Sequence, residues 1–322
     1  MRPTRRRIAA GLLAAALVAM VAVTSCSPRA AEWGDDGYTI AGGGPTGVYF
    51  DYGTHLADEL TGTLGIDMTA TETAGSVDNL RRVASGDALI GFAQGDAAAD
   101  AVAGDGSFDE RLDVQAVARL YDEYLHIVVR GDSDIDGVAD LAGRSVSLGA
   151  ENSGVNVIAG RVLDAAGVDA ASVDDPQLDL SASIEAIEAG AIDGFFWVGG
   201  LPTPGIAALA ERMPVRLLPI ERAWVTEVND RYSHAYRPAD VPAGMYGLEA
   251  SASTMAVPNY LVTAGATPPD VVRDVLAALF DARQRIAAEV PAAALLDRRQ
   301  AIFTGPVPLH PGALEYYRDL RG

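Results

Sequence analysis

Four segments of this sequence place small, hydrogen-bonding residues where a strand would give way to a helix: Gly42-Gly43-Gly44-Pro45-Thr46-Gly47, Thr73-Ala74-Gly75-Ser76, Asn152-Ser153-Gly154-Val155 and Gly199-Gly200-Leu201-Pro202-Thr203-Pro204. Such a loop leaves backbone N–H groups free at the positive end of a helix dipole, and glycine lets a bound group approach the backbone. Several of these loops aimed at one crevice would bind an anion. A single glycine at a strand-to-helix turn serves backbone conformation just as well, so the inference rests on the four together. The first loop has neither the lysine of a P-loop nor the spacing of a dinucleotide fingerprint, which argues against nucleotide.

Other chemistries lack their parts. Ser153 has no identifiable histidine partner to act as base, so nucleophilic catalysis is not indicated. The four histidines, His55, His126, His234 and His310, have no histidine or carboxylate at metal-like spacing, and His126, between Leu125 and Ile127, reads as a strand residue. No cofactor is implied, and the chain reads as a binding protein rather than an enzyme. Within the loops, Tyr49 can offer its hydroxyl or pack as the first large residue of its helix. Ser76 reads as an N-cap whose hydroxyl would also suit a carboxylate, and Asn79, one turn on, can face the same crevice. Asp96 in the crevice would favour a ligand bearing an amine; alternatively it caps a helix starting at Ala97. Trp197 can act as a lid, because Phe195, Phe196 and Trp197 cannot all face one side of a strand.

The elements that must position these loops follow a strand, loop, helix rhythm, the pattern of an α/β protein. Strands are expected at 38–41, 66–71, 88–94, 114–119, 125–130, 145–149, 194–198, 215–220 and 255–263. Helices are expected at 49–60, 76–84, 138–141, 154–166, 183–189, 204–212, 221–231 and 268–286. The segment 237–247 reads as a return. Ligands of open α/β sheets sit beyond the carboxyl ends of the strands. With two loops in each half of the chain, the site is expected between lobes formed by 38–130 with 246–322 and by 131–245.

The N-terminus carries an address. Arg2, Arg5, Arg6 and Arg7 precede an apolar run, Ile8 to Val23, which reads as a signal peptide over 1–25 and is shorter than the roughly 20 residues needed to span a bilayer. Val23-Thr24-Ser25-Cys26 resembles the lipobox of bacterial lipoproteins, which implies lipidation of Cys26 followed by a polar tether to residue 37. Cys26 is the chain's single cysteine, so no disulfide or thiolate site is available to the folded part. The formal charge of −20 argues against a nucleic-acid partner, but it does not set the ligand's sign, because surface charges are screened over about 8 Å.

Motifs along the chain, Gly42-Gly-Gly-Pro-Thr-Gly-Val-Tyr-Phe50, Thr73-Ala-Gly-Ser-Val-Asp-Asn-Leu80, Ser85-Gly-Asp87, Gln94-Gly-Asp96, Leu120-Tyr-Asp-Glu-Tyr-Leu-His126, Asn152-Ser-Gly-Val155 and His310-Pro-Gly312 with Tyr316-Tyr317, resemble TAXI-type receptors of TRAP transporters. The resemblance implies a two-lobed type II periplasmic-binding-protein fold, a small carboxylate such as glutamate or 2-oxoglutarate as ligand, and a TRAP-type membrane permease as partner; the competing reading, which the sequence does not separate from it, is a ligand-sensing lipoprotein that signals to a membrane kinase. The chain is expected to act as a monomer. Carried over by position, the ligand contacts are Gly44, Thr46, Gly47, Tyr49, Ser76, Asn79, Gln94, Asp96, Ser153, Gly154 and Asn156, with Trp197 and Gly199 added from the residue reading. Pro45 and Phe50 depart from the family's usual glycine and tyrosine, removing a backbone donor and a hydroxyl, and Gly95 stands where serine is more common.

Overall fold

The computed structural model describes residues 31, 33, 34 and 37–320. The signal segment and Cys26 lie outside the described residues. In chain order the elements are β1 (Tyr38–Ala41), α1 (Val48–Leu64), β2 (Met68–Thr71), α2 (Ser76–Ser85), β3 (Ile90–Gln94), α3 (Gly95–Ala103), β4 (Val114–Arg130), β5 (Val146–Ser147), α4 (Gly154–Ala165), α5 (Leu180–Glu188), β6 (Gly194–Gly199), α6 (Pro204–Arg212), β7 (Val215–Leu217), α7 (Arg222–Arg231), β8 (Arg237–Val241), β9 (Ala252–Ala264), α8 (Pro269–Glu289) and α9 (Pro311–Asp319). The strands form a mixed sheet in the order β2-β1-β3-β9-β4-β6-β5, with β7 on β4 and β8 on β9. This is the expected α/β architecture in its two-lobed form.

The largest departure from the sequence reading is β4. Segments 114–119 and 125–130 are one 17-residue strand, because the intervening Leu120-Tyr-Asp-Glu-Tyr124 keeps an alternation in which Leu120, Tyr121 and Glu123 are buried while Asp122 and Tyr124 are half-buried. β4 pairs antiparallel with β9 along most of its length, and the register shifts between Arg119 and Asp122, an irregularity of the kind that bends a strand and re-aims its side chains. The expected return at 237–247 contains β8, which pairs antiparallel with β9. Residues 138–141 form a 3-10 turn, and α3 starts at Gly95, two residues before the expected Ala97.

Buried apolar side chains fall into two groups. One draws on 40–121 and 260–317, with Leu56, Phe92, Leu261 and Leu279 at its centre. The other draws on 125–257, with Ile127, Val162, Phe195 and Ile206. Tyr246, Met255 and Val257 pack in the second group, so the return crossing falls within β9 near Pro258 rather than at residue 246. The outward crossing falls within β4 between Tyr121 and Leu125 rather than after Arg130. Two crossing strands, β4 and β9, are continuous through both lobes and keep them in one sheet.

Phe92 holds the first lobe to the face that carries the loops. It is fully buried, and its ring lies 5.3 Å from that of Tyr49 and 5.5 Å from that of Tyr52. Phe92→Ala is expected to cost about 3–5 kcal/mol through lost burial and an unfilled cavity, measured by urea unfolding. A loss below about 1 kcal/mol would mean that β3 does not anchor this core.

Candidate functional site

The loops converge. A cavity of about 60 Å³ lies between the lobes, lined by Gly43, Gly44, Thr46, Gly47 and Tyr49 from the first loop, Thr73 to Ser76 from the second, Ser153 and Gly154 from the third, and Trp197, Val198 and Gly199 at the end of β6. The helices that open at its wall are α1, α2, α4 and α5, so first-turn N–H groups, which have no carbonyl within their own helix, are directed toward it. Gly75 precedes α2 with φ 121°, a conformation glycine adopts readily and L side chains rarely do.

Ten of the thirteen residues expected to contact ligand line the cavity: Gly44, Thr46, Gly47, Tyr49, Ser76, Gln94, Ser153, Gly154, Trp197 and Gly199. Three do not. Asn79 is buried on the far side of α2, where its Nδ2 donates to the Phe92 carbonyl at 2.8 Å and its Oδ1 accepts from Thr73 Oγ1 at 2.5 Å; it holds the second loop to β3. Asn156 offers its backbone N–H to Ser153 Oγ at 3.1 Å, and its side chain lies outside the lining. Pro45, the departure that removes a donor, is exposed and is not part of the lining either.

Asp96 is the third correction. It is 0% exposed and faces away from the cavity. Arg161 of α4 donates to it at 3.2 Å and also to Asp100, while the Tyr236 hydroxyl accepts from Arg161 at 3.0 Å and donates to Asp96. Arg161 is itself 6% exposed. Asp96 and Asp100 belong to the first lobe and Arg161 and Tyr236 to the second, so this ion cluster joins the lobes behind the cavity. Neither an amine on the ligand nor a cap on the helix is needed to account for Asp96.

The cavity's polar floor is a chain of hydrogen bonds. Ser76 is the first residue of α2 rather than its N-cap, and its Oγ accepts the Gln94 backbone N–H at 3.1 Å and stands 3.3 Å from the Tyr49 hydroxyl. Tyr49 Oη accepts from Asn259 Nδ2 at 2.6 Å and donates to Glu123 Oε2 at 2.9 Å. The Tyr121 hydroxyl donates to Glu123 Oε1 at 3.4 Å. On the opposite wall Ser153 caps α4, and Asp179 caps α5 by accepting the Ala182 N–H at 2.8 Å.

Glu123 was not singled out from sequence. It is 1% exposed, and burial pushes its carboxyl up to about 8 against the hydrogen bonds from Tyr49, Gln94, Tyr121 and Asn259. Burial likewise raises Tyr49, with the nearby Glu123 charge adding to it. His126, one face over on β4, is pushed down to about 4 by burial and contacts the Tyr246 hydroxyl at 3.3 Å, outside the lining. The available signal for Glu123 was the alternation Tyr121, Glu123, Leu125, which a reading of 120–124 as a gap between strands discards. Among the described residues, no arginine or histidine lines the cavity, so an anion there would be held by helix N-termini and hydroxyls.

The lobes are closed on each other. Thr46 Oγ1 and Ser181 Oγ lie 2.9 Å apart, Arg81 Nη1 donates to Asn152 Oδ1 at 2.6 Å, and the Asp78 backbone N–H donates to the Asn152 carbonyl at 3.1 Å. A side chain on Gly47 would come within 3.2 Å of the Trp197 ring, and one on Gly154 would collide with the Gln94 amide and Ser76 Oγ. The glycines of these loops therefore admit the opposite lobe as well as any ligand.

The chain belongs to the NMT1-like family, whose model matches residues 40–320. Among solved structures it is similar to MatC from Rhodopseudomonas palustris with bound malate (17% identity, TM-score 0.57, 89% of this chain and 99% of that one). It is also similar to PhnD1 from Prochlorococcus marinus in complex with methylphosphonate (11%, 0.52, 89% and 97%) and to the alkanesulfonate-binding protein SsuA from Xanthomonas axonopodis pv. citri bound to MOPS (17%, 0.50, 90% and 92%). At these identities the likeness is one of fold.

Two expectations follow. Arg161→Met leaves two buried carboxylates without their partner and is expected to cost about 3–5 kcal/mol, with part recovered when Asp96→Asn and Asp100→Asn are added; urea unfolding that shows no loss in the single variant would remove the cluster's role in joining the lobes. For Glu123, the folded carboxyl ionises higher than the unfolded one. Its contribution to stability is therefore full below about 4.5 and is lost as pH rises through about 8. Thermal melts should show Glu123→Gln gaining on the wild type between pH 5 and pH 8, whereas a pH-independent gap would place the Glu123 carboxyl in the ordinary range.

Proposed function

We propose that this member of the NMT1-like family is an extracytoplasmic solute-binding receptor, held to the membrane through lipid on Cys26, that closes its two lobes on a small organic anion and delivers it to a membrane permease. The observation that carries the reading is the meeting of helix N-termini and hydroxyls from both lobes, Ser76 on one wall and Ser153 on the other, at a cavity bridged by cross-lobe hydrogen bonds. Closure on a ligand is the ordinary signalling step of such hinged binding proteins. The motif resemblance to TAXI-type receptors supports a TRAP-type permease as the partner and a carboxylate such as glutamate or 2-oxoglutarate as the ligand.

The lining supports a modest anion. Without a basic side chain the cavity can neutralise one negative group through helix dipoles, each equivalent to roughly half a charge at its N-terminus, more readily than it can two. Its size suits a small ligand: about 60 Å³ is room for about four to six waters at roughly 10–15 Å³ each. Phe196, Trp197, Val198 and Leu180 supply the apolar wall for the ligand's stem.

Native mass spectrometry of the purified protein, followed by a thermal-shift screen of carboxylates and amino acids, tests the reading. A ligand at 100 times its Kd stabilises by about 2.7 kcal/mol, a rise of several degrees in Tm. Ser76→Ala and Ser153→Ala, on opposite walls, are each expected to weaken the same carboxylate about tenfold, as for one hydrogen bond to a charged group. A ligand whose affinity ignores both substitutions would be bound elsewhere, and a carboxylate returned chemically altered would make the protein an enzyme.

A further inference from the structure

Glu123 lies where an anion receptor would not ordinarily carry a carboxylate. The groups facing it are Tyr49 from α1, Tyr121 from its own strand, Gln94 at the junction of β3 and α3, and Asn259 from β9. The other carboxyl in the lining, Asp179, is engaged as the cap of α5, and among the described residues no arginine or histidine lines the cavity. An ionised Glu123 would therefore have hydrogen-bond donors but no cation beside it in the lining, and would repel an arriving anion at close range.

Four neutral groups, Tyr49, Gln94, Tyr121 and Asn259, can donate to an ionised Glu123, and burial without a cation beside the carboxyl outweighs them. A protonated carboxyl can donate to the Tyr49 hydroxyl oxygen 2.9 Å away, whereas an ionised one can only accept from it. The same proton would set the direction of the relay. With Glu123 neutral, Tyr49 is released from donating to it and can turn its proton toward Ser76 Oγ, which already accepts from the Gln94 N–H. The Ser76 proton is then left to point into the cavity.

We propose that Glu123 is the positioning residue that makes this cavity accept an anion: it takes one proton from solvent, orients the Tyr49 and Ser76 hydroxyls as donors toward the ligand, and expels the ligand when that proton returns to solvent. This rests on the reading of the protein as an anion receptor. Burial, which pushes the Glu123 carboxyl up to about 8, places the transition just above neutral pH.

The test has two arms on the same protein. In the first, the side-chain carboxyl carbon of Glu123, identified by its absence from Glu123→Gln, is followed by NMR from pH 4 to pH 10 without ligand; titration near 8 is expected, and titration near 4 overturns the proposal. In the second, calorimetry measures binding of acetate, L-malate, L-glutamate and 2-oxoglutarate from pH 6 to pH 10. For the tightest of them the wild-type Kd should be level below pH 7 and rise about tenfold per pH unit above pH 9, as for one linked proton. Glu123→Gln should be level throughout, and Tyr49→Phe should bind more weakly while keeping the wild-type slope. A slope that persists in Glu123→Gln, or none in the wild type, overturns the proton linkage and leaves the anion receptor standing; if none of the four binds the wild type at pH 6, the anion reading falls and the linkage falls with it.

Discussion

Two lobes that close over a polar cavity must pair every polar group that closure takes out of water, because a buried group left unpaired costs about as much as several good contacts contribute. That constraint organises this molecule. Thr46 meets Ser181, Arg81 meets Asn152, and the carboxylates of Asp96 and Asp100 meet Arg161. The crossing strands β4 and β9 keep the two halves in one sheet, which fixes the register in which the facing surfaces meet. The cavity is the place on this seam where small residues and helix ends leave a gap, and its remaining donors, the Ser76 hydroxyl and the first-turn N–H groups, are those an anionic ligand would complete.

The electrostatics of the gap follow from what is missing as much as from what is present. Helix N-termini supply a diffuse positive potential without a basic side chain in the lining. A site of this kind binds one anionic group without the desolvation penalty of a buried arginine, at the expense of affinity for ligands with two. Arg161, a strong cation close by, is spent on the first lobe's own carboxylates and holds the lobes together instead of the ligand. The chain's overall negative charge is a property of its surface and does not oppose this, since screening hides it from the closed cavity.

Much of this was legible in the sequence, and the reasons differ by residue. The glycine-rich loops announced themselves through residue types that tolerate unusual backbone and close approach, so Gly47, Ser76, Ser153 and Gly154 were placed at the cavity by local chemistry. Side-chain direction was not legible. Asn79 and Asp96 sit next to lining residues in sequence, but the helix turns them toward β3 and toward α4, and only the packed structure shows the Arg161 partner 65 residues away. Glu123 was hidden for a different reason: an acidic residue among tyrosines, between two apolar runs, reads as a solvated turn, and the continuity of β4 that buries it comes from pairing with β9, more than 130 residues downstream. The lobe crossings were displaced from the turn-rich segments for the same reason, since a strand that passes straight through both cores carries no turn signal at the boundary.

The most direct measurement is a crystal structure of the protein with the carboxylate that stabilises it most. The receptor account predicts one carboxylate group between the first turns of α2 and α4, within hydrogen-bonding distance of Ser76 and Ser153, its stem against Phe196 and Trp197, and the lobes closed around it. A carboxylate bound on the outer surface, or one seated in the cavity with its charged group turned away from both helix ends, would contradict it.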